Sequence, residues 1–265
     1  MTNQKFSFTD ESITINDWRY GEIILHRIKA ETDIPRFNIK EGDLGGFIHL
    51  EKNLEVFGDA WVSGDAEVFG NAEVSGDAKV SGNAKVSGDA KVSGNAKVFG
   101  NAKVSGDAEV SGDAEVSGDA EVFGDAEVSG NAEVFGNAKV FGNAKVSGNA
   151  EVSGDAEVFG DAKVFGDAKV SGDAEVFGDA KVFGDAEVSG DAEVSKTKDY
   201  LVIGPVGNNR FITFTFSDQK VVAGCFRGTL IELKQRVEQK YGDTSDYYET
   251  IKYISILVES RGKTI

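Results

Sequence analysis

Residues 71–88 read Asn71-Ala72-Glu73-Val74-Ser75-Gly76-Asp77-Ala78-Lys79-Val80-Ser81-Gly82-Asn83-Ala84-Lys85-Val86-Ser87-Gly88, three copies of one unit, [Asp/Asn]-Ala-[Glu/Lys]-Val-[Ser/Phe]-Gly. Outward from this stretch, a valine falls at every sixth position from Val56 to Val194, 24 in all, with no insertion or deletion. A short fixed period marks a stacked repeat architecture. Because a strand alternates faces, Ala and Val share one side of the unit, and Glu/Lys and Ser/Phe share the other. Charged side chains in such numbers stay in water, so the alanines and valines point inward. Glycine followed by Asp or Asn supplies a corner, since both tolerate positive φ.

A six-residue period with glycine in every unit matches no helical face. Flat six-residue sides close most simply as a triangle, so 18 residues make one coil and the 24 units make eight. Stacked at strand spacing, the prism is about 38 Å long. The expected fold is mainly β: a triangular parallel β-solenoid over residues 44–195, with an N-terminal β cap over 1–43 and a small α+β module over 196–265.

The ends of the array carry that division. Leu44 and Leu50 fall in the valine register, and Ile48 and Leu54 in the alanine register. These bulkier residues suit a first coil that has no neighbour beneath it. Ile23-Ile24-Leu25-His26-Arg27-Ile28 reads as a strand that closes the open edge. Beyond Ser195, three strands are expected at Tyr200–Ile203, Phe211–Phe216 and Val221–Ala223, the first broken by Gly204-Pro205-Val206-Gly207. Thr229 with Glu232 forms a capping box ahead of a helix whose face is Leu230, Leu233, Val237 and Tyr241, stopped by Gly242. Asp246 and Glu249 repeat the device before Ile251, Ile254 and Leu257. The module is thus expected to be βββαα.

Valine followed four positions later by a small residue, as in Val80 and Ala84 or Val116 and Ala120, resembles the hexapeptide-repeat family of left-handed parallel β-helices. The left-handed winding is implied by that resemblance alone. The entry Gly42-Asp43-Leu44-Gly45-Gly46-Phe47-Ile48 and the tail segments Tyr200–Pro205 and Gly224–Leu230 are similar to uncharacterised hexapeptide-repeat proteins of bacteria and their phages. The resemblance implies such an origin and brings no activity with it. Many left-handed β-helix proteins are acyltransferases with a histidine base and loops leaving the coils. Here His26 and His49 both precede the array, and the array has no loop, so both histidines are expected to be structural and no catalytic residue is assigned.

Composition excludes several classes. With 33 Gly but only 2 Pro among 265 residues, the chain is neither collagen nor proline-rich disorder. One cysteine excludes a disulfide framework and a cysteine zinc site. No apolar run is long enough to span a membrane, and no basic-then-apolar leader opens the chain. A cytoplasmic protein, host-cytoplasmic if phage-encoded, is expected, with no membrane partner. The net charge of −17 makes direct nucleic-acid binding unexpected. Residues 55–194 hold 15 Asp and 13 Glu against 10 Lys, a net of −18, so the acidity belongs to the prism. Glu/Lys neighbours one coil apart have opposite signs about half the time, as chance would give, so salt-bridge ladders do not organise it. The acidic surface reads as solvated, with a docking rail or nucleic-acid mimic as the alternative. Stacked corner carboxylates such as Asp107 and Asp125 are at most a weak calcium site, and no metal or other cofactor is assigned.

Phenylalanine is the informative outward residue. One column holds Phe123, Phe141, Phe159 and Phe177 in successive coils, and a neighbouring column adds Phe165 and Phe183. Such a stripe is either a self-shielding ladder or an interface. In the tail, Arg227, Gly228 and Thr229 at the helix start are a weak anion or ligand site. Cys225 reads as a small buried hydrophobe, and Gly204–Gly207 as a turn rather than a phosphate loop. The expected function is a non-enzymatic scaffold that associates with itself or a protein partner. The alternatives are a phage protein that sequesters a host factor and a ligand-binding or acyltransferase-like protein.

Overall fold

The computed structural model describes residues 5–206 and 210–261. The hexads form three parallel sheets, and each strand pairs with the strand three hexads away, as Val98 does with Val80 and Val116. The sheet through Val62 has eight strands, one per coil. Alanine and valine form one continuous core, every one from Ala60 to Val194 fully buried. The corner glycines all have positive φ, such as +71° at Gly112, and at most corners the backbone N–H of the following Asx donates to the glycine carbonyl one coil on, as Asn95 does to Gly112 at 2.7 Å.

The first coil departs from the expected register. Ile48 pairs with Val68 and Leu54 with Val74, an offset of twenty residues, so both occupy the valine stack and not the alanine one. Leu44, Leu50 and Val56, in the nominal valine register, point to solvent at 56%, 39% and 44% exposure. Two extra residues are extruded around Val56 and Phe57 before regularity begins at Val62. The valine columns therefore start as Ile48, Leu54 and Val62, the first two bulkier than the valines stacked above them.

Strand β1 (Phe6–Asp17) pairs antiparallel with β2 (Gly21–Ala30), and β2 with β3 (Leu44–Ile48), which opens the first sheet. The open edge is thus closed by a hairpin rather than a single strand. Phe6, Ile28, Ala30 and Ile34 seal the base of the core. Trp61 stands in the Glu/Lys position yet is fully buried, sharing a cluster with Ile34, Phe37 and Ile39. Buried Asn53 donates to the carbonyls of Gly70 (3.2 Å) and Ala72 (2.7 Å), satisfying acceptors that no lower coil reaches.

At the other end the module caps the last coil. Lys181, Glu187 and Glu193, one in each sheet, have no coil above to accept their N–H groups. They donate instead to Thr197 Oγ1 (3.2 Å), Thr213 Oγ1 (3.0 Å) and Ser217 Oγ (2.9 Å). The module contains four antiparallel strands: Tyr200–Val206, Arg210–Thr215, Lys220–Ala223 and Phe226–Thr229. The fourth, unassigned from sequence, begins just past Gly224, whose φ of +63° turns the chain. The first strand runs through Gly204 and Pro205 to Val206 instead of breaking; Gly207 lies outside the described residues. Helices α1 (Leu230–Tyr241) and α2 (Asp246–Ser260) cover the sheet. The Thr229–Glu232 box is present, whereas α2 is capped by Ser245, not Asp246. The buried α2 face ends at Val258 in place of Leu257, and Tyr241 is 51% exposed.

Candidate functional site: an aromatic ladder on an acidic prism

The phenylalanine column lies on the sheet that β1 and β2 extend. In-register pairing places Phe123 beside Phe141, their rings stacked at 4.9 Å and 1°. Phe141 and Phe159 follow at 4.9 Å and 5°, and Phe159 and Phe177 at 5.2 Å and 7°. The rings face outward and shield one another, so each is half-buried. Phe165 and Phe183 form a shorter stack at 5.4 Å, with 37% and 45% exposure. These separations are about one strand spacing, as in-register stacking of coils requires.

The hairpin explains where this column is aromatic. Below the ladder its members are Phe69, Ser87 and Ser105. Phe69 is buried in a cluster with Ile23, Leu25 and Phe47. The hairpin tip lies against the neighbouring corner. A Cβ at Gly70 would sit 2.7 Å from the Tyr20 ring, and Arg19 reaches Asp89 at 3.4 Å. Beside Ser87, Ser105 and Phe123, the tip encloses a recess of about 200 Å³, with Trp18 standing 90% exposed. Serine leaves room for the tip, and phenylalanine resumes beyond it. At the other end Phe177 shares a recess of about 290 Å³ with Asp199, Phe216 and Ser217. The ladder is therefore an aromatic face bounded at both ends, a relation the repeat cannot reveal because the covering residues are distant in sequence.

The prism's charges divide into two kinds of ladder. Seven Lys–Glu pairs bridge adjacent coils, among them Lys97–Glu115 at 2.6 Å and Lys145–Glu127 at 2.6 Å. Like charges also stack in register, as at Lys79 and Lys97 or Glu157 and Glu175. Exposed pairs of this sort contribute about 0–1 kcal/mol each. At the corners, asparagine amides donate to the Asx oxygen one coil on, as in Asn95 to Asp113 (2.8 Å) and Asn137 to Asp155 (2.8 Å). Asparagine thus separates carboxylates that would otherwise repel.

The remaining sequence candidates are placed as follows. His26 packs beside Phe8 with centroids 5.4 Å apart, and His49 pairs its backbone with Val68. Burial, with the charges of Lys52 and His26, holds His49 below its ordinary pKa. Glu232 fills the α1 N-terminus, taking Thr229 N–H at 2.7 Å and Thr229 Oγ1–H at 2.9 Å. A Cβ on Gly228 would meet the same carboxylate at 2.7 Å. Arg227 turns to the prism, donating from Nε to Ser189 Oγ at 3.3 Å and lying 3.9 Å from Glu187. The three proposed anion-site residues are therefore engaged within the protein. Cys225 is exposed, not buried, because the turn after Ala223 lifts it off the sheet. No cluster of three metal-ligating side chains occurs among the described residues, and none of their helices is long and apolar enough to cross a membrane.

No protein-family model matches the chain, and no curated protein matches it.

Proposed function

We propose that the chain is a non-enzymatic interaction scaffold: a rigid acidic rod of the left-handed hexapeptide-repeat type, of bacterial or phage origin and cytoplasmic. It presents its C-terminal module at a fixed distance from the N-terminal hairpin. The supporting observation is the Phe123–Phe177 ladder, a four-ring face on a rigid sheet, bounded by the exposed Trp18 tip and the module. Association with a second copy or a protein partner through this face buries the remaining exposed part of each half-buried ring, worth about 1 kcal/mol each.

The test replaces Phe141 and Phe159 together by Ser, the residue the repeat itself uses there. Light scattering at micromolar protein is expected to show the wild-type assembly dissociating while the fold persists. Phe99→Ser, in a different column, leaves the mass unchanged. A double variant that keeps the mass of a larger wild-type assembly removes the ladder as the interface. A monomeric wild type removes self-association and leaves an outside partner.

A second reading, capture of a basic host factor on the rod, has its own support. Every corner from Asp155 to Asp191 carries aspartate, seven in succession. Capture through this surface is steeply salt-dependent, whereas the ladder interface is not.

A further inference from the structure

The C-terminal module carries a recess unlike the rest of the molecule. Arg210, Arg236 and Lys240 line it together with Phe226, Tyr241 and Tyr247, and its lining contains no Asp or Glu among the described residues. Three cations thus converge without a carboxylate in a chain of net charge −17. Their placement is built into the fold. Arg236 and Lys240 lie one turn apart on α1, a like-charged spacing that disfavours an isolated helix. The carboxylate spaced to neutralise Arg236, that of Glu232, is committed to the Thr229 cap. Arg210 opens the second strand and its guanidinium lies across Gly224, in the space a Cβ there would take. Three other cations of the module are engaged: Arg227 with Ser189 and Glu187, Lys252 with Glu249, and Arg261 with the Lys198 carbonyl.

An aromatic wall borders these charges. Tyr241 and Tyr247 stack at 5.6 Å and 16°, Lys240 Nζ lies 5.1 Å from the Tyr241 ring, and Arg236 lies 5.7 Å from that of Phe226. We propose that this recess binds a nucleoside monophosphate, with the phosphate held by Arg210, Arg236 and Lys240 and the base stacked at Tyr241.

Two arginine forks and a lysine suit a dianionic phosphate better than a single carboxylate. The enclosed space, about 80 Å³, is far below that of a pocket swallowing a whole ligand and takes the phosphate group alone. The base then lies outside, on the half-exposed tyrosine, where aromatic stacking holds any base. A single phosphate is favoured over a nucleic-acid strand because the recess has room for one such group, and a longer polyanion would extend past the three lining cations onto a chain of net charge −17. This site does not depend on the phenylalanine ladder being an interface.

Calorimetric titration of the full chain with AMP, inorganic phosphate, adenosine and a short oligoadenylate tests the proposal. AMP is expected to bind saturably and more tightly than the other three. Arg236→Gln and Lys240→Gln each weaken AMP by about tenfold or more, and Tyr241→Ala weakens AMP but not phosphate by a similar factor. Lys252→Gln, on the other helix, changes nothing. The melting temperatures of these surface variants stay at the wild-type value, and so does the light-scattering mass. The ladder and the recess therefore fail independently. AMP binding no better than phosphate or adenosine, equal binding by the variants, or tighter binding of the oligonucleotide each overturns the assignment.

Discussion

Ile48 lies beneath Val68 in the first parallel pair of the prism, twenty residues back instead of eighteen. The extra two residues leave through Val56 and Phe57, the latter 77% exposed, and the inward stack continues without a gap. Side-chain volume at the capped end, rather than the sixfold count, sets where the solenoid begins. The count governs only where each coil has identical neighbours on both sides.

In that regular region the inward and outward positions respond oppositely to charge. Val116 is fully buried among alanine and valine, whereas Ser117 is partly exposed. Val116→Asp is expected to cost several kcal/mol, about 3–5, as an unpaired buried charge, and to unfold the coils on both sides. Ser117→Asp stays within about 0.5 kcal/mol. Equal melting temperatures for the two would contradict the inside-out assignment.

Corner glycines combine two constraints that can be separated. At Gly112, φ is +71° and a Cβ would lie 3.0 Å from the nitrogen and oxygen of Gly130 one coil on. At Gly184, φ is +66° but a Cβ meets nothing within 4 Å. Alanine at Gly184 is expected to cost about 1–2 kcal/mol from the left-handed conformation alone. Alanine at Gly112 costs measurably more, because coil stacking must yield. Chemical denaturation of both variants decides it, and equal costs would mean that stacking is looser than the distances imply.

Coil modularity predicts the effect of insertions. A second copy of residues 89–106 after Gly106 adds one full coil and returns the chain to the same sheet. The melting temperature should hold or rise, since stability in such arrays sums over neighbours. A six-residue insertion keeps valine inside as well but moves the Phe ladder off the sheet that β2 extends. Both variants should melt at or above the parent, with the wild-type assembly retained only by the full-coil insertion. Loss of folding in either would show that the coils are not interchangeable.

The base of the prism carries a pH signature. Burial pushes the Lys5 amine down from 10.5 to about 8, partly offset by the charges of Glu55, Asp59 and Asp77. Its ammonium donates to the Gly58 carbonyl at 3.3 Å. The unfolded chain keeps this proton up to 10.5 while the folded chain releases it near 8, so between these values the unfolded state binds more protons. The Lys5 contribution to stability therefore rises with pH across that window and is unfavourable below it. Lys5→Met should remove this rise, read as the difference between melting temperatures of wild type and variant from neutral pH upward. A difference constant with pH would count against the buried amine.

The sequence by itself determined the regular part of this protein. Alternation of Ala and Val with charged and Ser/Phe residues decides which side is inside, because that choice is local and repeats without interruption. Glycine at every sixth position decides the corners, because only there must φ be positive while the next coil sits close. The stacking of Phe141 on Phe159 follows from the same translation. Tertiary structure decided whatever depends on distant segments meeting: the burial of Phe69 beneath the hairpin, the capping of Glu187 by Thr213, and the exposure of Leu44. It also decided that the α1 N-terminus is occupied by the chain's own Glu232, while Arg236 and Lys240 lie farther along the same helix. Arg210, Arg236 and Lys240 have no common spacing in the sequence. A strand, a glycine turn and a helix face bring them together, and only packing of those three elements puts their charges in one place.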